Sequence, residues 1–161
     1  MKSSRTLLVT GISLVLFATV NCIYVPNLHR PCLRCLCEAA TGCNMTIGCV
    51  TGYCGPFKIS RVFWVDADRL VMPEDDPQRP GAYEDCARQY QCASKLVKNY
   101  MKKFGQDCNN DGVVNCDDYS MIHYNGGYSC STPINNTDHY KRYAACRPPD
   151  SKEAALLRNS F

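Results

Sequence analysis

Thirteen cysteines in a chain of 161 residues constrain the fold more than any other feature. Twelve of them lie beyond residue 30: Cys32, Cys35, Cys37, Cys43, Cys49, Cys54, Cys86, Cys92, Cys108, Cys116, Cys130 and Cys146. In an oxidising compartment such a chain is a disulfide scaffold. Cys32-Leu-Arg-Cys35 also has the C-x-x-C spacing of a zinc or redox site, the reading a cytosolic chain would favour. The start of the chain weighs between the two. Met1 to Arg5 is positively charged, and Thr6 to Val20 is an apolar run too short to cross a bilayer comfortably. Residues 1–22 read as a secretory signal peptide cleaved after Cys22, with a retained anchor as the rival. Losing Cys22 leaves an even number of thiols, whereas cleavage after Val20 would strand one. Structural bridges in a secreted, extracellular protein are therefore expected. Six bridges pair in roughly ten thousand ways, so the connectivity stays open.

One small domain, residues 23–147, fits the remaining length, with residues 148–161 as a loosely held tail. Hydrophobic residues make up 45% and charged ones 20%, which argues against disorder. Removing Lys2 and Arg5 with the leader takes the 18 basic residues to 16, against 15 acidic. A net charge this small makes nucleic acid a poor candidate partner, so none is expected, and no later segment is apolar enough for a membrane. A monomer is expected. The sequons at Asn44 and Asn135 agree with export.

Apolar residues at Phe57, Ile59 and Val62 to Val65 predict a short strand or extended core segment. Trp64, the only tryptophan, is either a core anchor or a sugar-stacking platform. Residues 69–81 carry three prolines and predict a surface loop. Ala93, Leu96, Val97, Tyr100, Met101 and Phe104 recur at helical spacing and predict a helix over 83–104. Its other face holds Lys95, Lys98, Lys102 and Lys103, either simply solvated or a contact for an anionic wall polymer. Further helices are expected from Cys116 to Tyr124 and from an N-cap at Thr137, the latter with Tyr140, Tyr143 and Ala144 on one face.

Residues 107–118 match the calcium-loop template. Asp107, Asn109, Asp111 and Asp118 stand at oxygen-ligand positions, and Gly112 at the sharp turn. Val113 would offer its carbonyl, and Asn115 would act through water. The alternative is a plain Asn-Asp-Gly turn with Asp117 and Asp118 capping the next helix. Calcium is thus the one cofactor the sequence has a place for, and none is required.

The segment Cys32-Leu-Arg-Cys35-Leu-Cys37-Glu-Ala-Ala-Thr-Gly-Cys43 resembles the opening of the invertebrate-type lysozymes, the destabilase family. So do Ile47-Gly-Cys49 followed by Gly52-Tyr-Cys54-Gly-Pro-Phe-Lys-Ile-Ser60, Asp85-Cys86 to Met101, and Cys116-Asp-Asp-Tyr119 through Gly127 to Cys130. The resemblance spans about Cys32 to Cys146, with an insect-like variant of the second motif. It implies an α+β, small disulfide-rich lysozyme-like fold, mainly helical with a short antiparallel sheet and a glycan cleft. It implies peptidoglycan, or another cell-wall glycan, as partner. The family's activity is hydrolysis of the β-1,4 bond between N-acetylmuramic acid and N-acetylglucosamine. That chemistry needs one protonated and one ionised carboxyl group.

By the resemblance, the acid glutamate stands three residues after the cysteine that is Cys37 here, and that position is Ala40. The second carboxylate lies in a segment that this chain shortens to Val50-Thr51-Gly52-Tyr53. The serine and lysine ascribed to isopeptidase members fall at Tyr53 and Ser60. The expectation is a glycan binder of lysozyme type lacking the family's carboxylates. The alternative is a muramidase using Glu38, Asp66 or Asp68 as substitutes. Trp64, His123 and Asn125 are the candidate glycan contacts.

Overall fold

The structure, a computed structural model, describes residues 25–147. The expected signal peptide, with Cys22, and the expected tail lie outside the described residues. The chain runs α1 (Arg30–Thr41), β1 (Cys49–Val50), β2 (Tyr53–Cys54), β3 (Ile59–Ser60), α2 (Arg61–Asp66), α3 (Ala82–Arg88), α4 (Tyr90–Phe104), α5 (Cys116–Asn125) and α6 (Asp138–Cys146). The three short strands form one antiparallel sheet in the order β1-β2-β3. The expected α+β architecture, mainly helical, is what the chain adopts.

Helix α1 has complete local signals. The His29 ring accepts a hydrogen bond from the Cys32 N–H, and a proline opens the first turn. Gly42, with φ of 66°, closes the helix by donating to the Cys37 and Glu38 carbonyls. Between these caps Cys32, Leu33, Cys35, Leu36, Cys37, Ala39 and Ala40 are all buried. The helix is missed when the cysteines are read only as bridge-formers and not as apolar residues with helical period.

All twelve cysteines beyond residue 30 are bridged: Cys32–Cys116, Cys35–Cys146, Cys37–Cys43, Cys49–Cys54, Cys86–Cys92 and Cys108–Cys130. The C-x-x-C pair therefore holds no metal, because Cys32 ties α1 to α5 and Cys35 ties it to α6.

The single helix expected over 83–104 is two helices, and the Cys86–Cys92 bridge is the reason. Six residues along a continuous helix advance about 9 Å. A disulfide needs closer Cα atoms, and the observed separation is 5.1 Å. Gln89 breaks the helix in extended conformation (ψ 115°) and caps α4 by accepting from the Cys92 N–H.

The strand expected over Val62 to Val65 is helix α2, because the Ser60 hydroxyl caps it by accepting from the Phe63 N–H. Only Ile59–Ser60 pairs as strand. Residues 69–81 form the expected loop, tied by Arg79 to Asp75 and Asp85. Its start does reach the core, where Leu70, Val71 and Met72 pack. Helix α6 begins at the expected Thr137 cap, but its buried face is His139 and Tyr143, with Ala144 exposed. Gly55 is required twice over: its φ is 69°, and a Cβ there would meet the Ala87 carbonyl at 1.8 Å.

The long bridges should carry more stability than the short ones. On the chain-entropy account, a closure of 111 residues outweighs one of 5 by about 2–3 kcal/mol. Replacing Cys35 and Cys146 together with alanine should lower the thermal midpoint well beyond the Cys49/Cys54 double replacement, as read by calorimetry.

Candidate functional site

The C-terminal end of α1 opens onto a cleft of about 850 Å³. Ala40 forms part of its wall, facing Tyr53 of β2 and Lys58 of the turn before β3. Helix α5 supplies His123 and Tyr124. The start of α6 supplies Asp138, His139 and Arg142. The disulfide from Cys35 to Cys146 holds α6 against α1, so the two walls keep a fixed separation. Arg142 donates to the Ala39 carbonyl at 2.9 Å and satisfies an otherwise unpaired carbonyl near the end of α1.

Two exposed aromatic rings flank this polar interior. Tyr53 is 48% and Tyr124 50% exposed. Lys58 sits at a left-handed φ of 51° and adds an exposed ammonium group. The His123 and His139 rings stack with centroids 5.8 Å apart. Burial is the main cause that lowers the His123 pKa to about 3 and that of His139 to about 4. The proximity of His139 lowers His123 further, and a hydrogen bond to the Phe57 backbone opposes this. The Nε2 atom of His123 is sealed from water without a hydrogen-bond partner, while His139 Nε2 lies 3.1 Å from the buried Ser120 hydroxyl. Both rings are therefore neutral at pH 7.

Among the described residues, the carboxylate that lines the cleft is Asp138, a residue the sequence reading passed over. Its hydrogen bond to Lys141 at 3.0 Å holds its pKa below the ordinary value. The signal was present: Asp138 follows the Thr137 cap, where a helix start orients a first-turn acid.

The three candidate substitute carboxylates are not in this cleft. Glu38 lies two residues before Ala40, roughly 200° around the helix. It lines a different groove, 3.8 Å from Arg34. Asp66 pairs with Lys103 at 3.6 Å, and Asp68 is exposed in a left-handed turn. Of the three candidate glycan contacts only His123 lines the cleft. Trp64 is a core anchor, buried and donating from Nε1 to the Leu70 carbonyl at 2.7 Å. Asn125 pins the following loop through the Cys130 and Thr132 carbonyls.

The calcium expectation is not supported. Asp118 turns inward, fully buried: one oxygen accepts from the Cys108 and Asn109 N–H groups, the other from that of Asn115. Asn115 completes a capping box with it instead of facing an ion. Asp107 and Asp111 spend their oxygens on the N–H groups of Asp111, Gly112 and Val113. Among the described residues no group of three or more His, Cys, Asp or Glu is placed to hold a metal. The sequon residues Asn44 and Asn135 are both exposed.

A sequence profile described as Destabilase matches residues 29–146. The chain belongs to the destabilase family. It is 35% identical over 128 residues to a lysozyme of Magallana gigas, covering 75% of this chain and 82% of that one. It is 28% identical over 116 residues to an invertebrate-type lysozyme of Ruditapes philippinarum, covering 66% and 74%. Among solved structures it resembles a Meretrix lusoria lysozyme in complex with Aeromonas hydrophila PliI. That match has a TM-score of 0.57 and 25% identity, over 74% of this chain and 93% of the other. The Tapes japonica lysozyme shares the fold, with a TM-score of 0.56 and 22% identity over 80% and 96%. Among the described residues of this family member, no helix is long and apolar enough to cross a membrane.

Two outcomes follow. The partly buried His123 and the buried His139 have folded pKa values below the ordinary 6.5. The unfolded chain therefore takes up protons first, and their contribution to stability is complete above about pH 6.5 and declines as the pH falls toward 4. Denaturant unfolding at stepped pH should show this slope, and His139→Gln should flatten it. Asp118→Ala should cost about 1–3 kcal/mol through its orphaned N–H donors, while added calcium leaves the melting temperature unchanged.

Proposed function

We propose that this protein is a secreted, lysozyme-type binder of bacterial cell-wall peptidoglycan or a related glycan, serving defence or digestion without efficient hydrolysis. The observation that carries the reading is the lining of the Ala40 cleft. Two exposed tyrosines stand beside polar and cationic groups, an arrangement suited to sugar faces and their acidic or acetamido substituents. Kinship with the lysozymes supplies the substrate class. The six disulfides fit an exported protein.

Glycoside cleavage needs a proton donor poised near the working pH and a second carboxylate placed about 5–9.5 Å from it. The cleft presents a methyl group at Ala40, two neutral histidines and one carboxylate, which its lysine partner keeps ionised. An ionised Asp138 has no proton to give. The loss of general-acid help alone is worth about 10²–10⁴ in rate.

The test is co-sedimentation with purified peptidoglycan, run beside a reducing-sugar assay and an active lysozyme of the family. The protein should pellet with the wall and release no sugar. Tyr53→Ala and Tyr124→Ala should each weaken binding about three- to tenfold. Sugar release that persists after repurification and disappears in Asp138→Asn would refute the non-hydrolytic reading. Failure to pellet would refute the glycan reading itself.

A further inference from the structure

A second groove, of about 690 Å³, lies beyond Glu38 on a different side of α1 from the Ala40 cleft. One wall is a face of α1 carrying Arg30, Arg34 and Glu38 at four-residue spacing. The other is a face of α4 carrying Ser94 and Lys98, with Tyr90 at its start. Three cations thus meet one carboxylate. Glu38 reaches Arg34 only at 3.8 Å, and the Arg34 side chain is 73% exposed, so the pair is weak. Arg30 and the half-buried Lys98 have no hydrogen-bond or ion-pair partner among the described residues. Lys103, by contrast, is spent on Asp66, and Arg79 on Asp75 and Asp85. Of the four lysines on the polar face of α4, the fold singles out Lys98 by placing it opposite two arginines of another helix.

We propose that this groove binds a phosphodiester-linked polyol chain, the anionic polymer chemistry of bacterial walls, at a site separate from the sugar cleft. Arg30 and Arg34 stand about 6 Å apart along the helix, so they meet successive charges on one chain. Guanidinium groups match phosphate oxygens in a planar, two-point fashion that an exposed lysine does not. The C–H faces of the polyol links would lie on the Tyr90 ring and the exposed Met45 side chain. The wall-binding reading supplies only the source of the polymer; the site itself stands on its charges.

The experiment is calorimetric titration of the oxidised protein with soluble poly(glycerol phosphate), at low and at physiological salt. Binding should weaken as salt rises. It should fall about tenfold in Arg30→Gln/Arg34→Gln, and further when Lys98→Gln is added. Glu38→Gln, which removes the opposing charge, should tighten it about threefold. Tyr53→Ala and Tyr124→Ala should leave it unchanged, while reducing peptidoglycan pelleting. Matched melting curves for the variants exclude misfolding as the cause. No binding at low salt would overturn the proposal. So would an equal loss in the tyrosine variants, or displacement by a neutral chitin oligomer. Failure of peptidoglycan pelleting with polymer binding intact would sink the sugar-cleft reading alone.

Discussion

The cross-linking of α1 is the constraint on which the other parts of this protein depend. Cys32, Cys35 and Cys37 leave one helix in three directions, to α5, to α6 and to the loop that follows the helix. Only the bridge to Cys43 is local. The other two reach 84 and 111 residues along the chain. A domain of this size buries a modest core, and covalent ties supply order that packing alone provides in larger proteins. Because α1 is held so firmly, its remaining faces can be given to surface features. The Ala40 end borders one cleft, and the Arg30–Glu38 face borders another.

The chemistry of the Ala40 cleft follows from what its walls do to protons. Burial makes proton uptake by the stacked His123 and His139 costly, so neither carries charge near neutrality. The positive charge comes instead from Lys58 and Arg142, and the negative charge from an exposed aspartate already paired with Lys141. On the proposed reading, such a surface would meet a polar polymer through fixed dipoles, fixed charges and ring faces.

Much of the architecture was legible in the residues, because α4 carries ordinary periodicity and α5 and α6 carry local caps. The start of α6 at Thr137 and the close of α5 near Gly126 need only local chemistry. Three features required tertiary information. The break at Gln89 depends on knowing that Cys86 pairs with Cys92. The valine and aromatic run after Ser60 turns helical because a hydroxyl cap and the burial of Trp64 outweigh local preference. Asp118 satisfies the calcium template by residue type, yet nearby N–H groups claim both of its oxygens. The candidate site was legible at Ala40 and His123, which motif spacing located. The contributions of Asp138, Lys58 and Tyr124 come from segments that only the folded chain brings together. Trp64, the most conspicuous aromatic residue, is in the core.

The loop of residues 69–81 lies in the widest stretch of irregular chain between helices, and beyond Met72 it lies mostly at the surface. It is also enclosed by both long bridges, since Cys32 and Cys35 precede it while Cys116 and Cys146 follow it. A protease that cut this loop would leave two fragments still joined by two covalent links. The cleft walls would stay in place, because the same links join α1 to α5 and α6. Nicked there, the chain stays one covalent unit, and its two pieces come apart only when cleavage is combined with reduction.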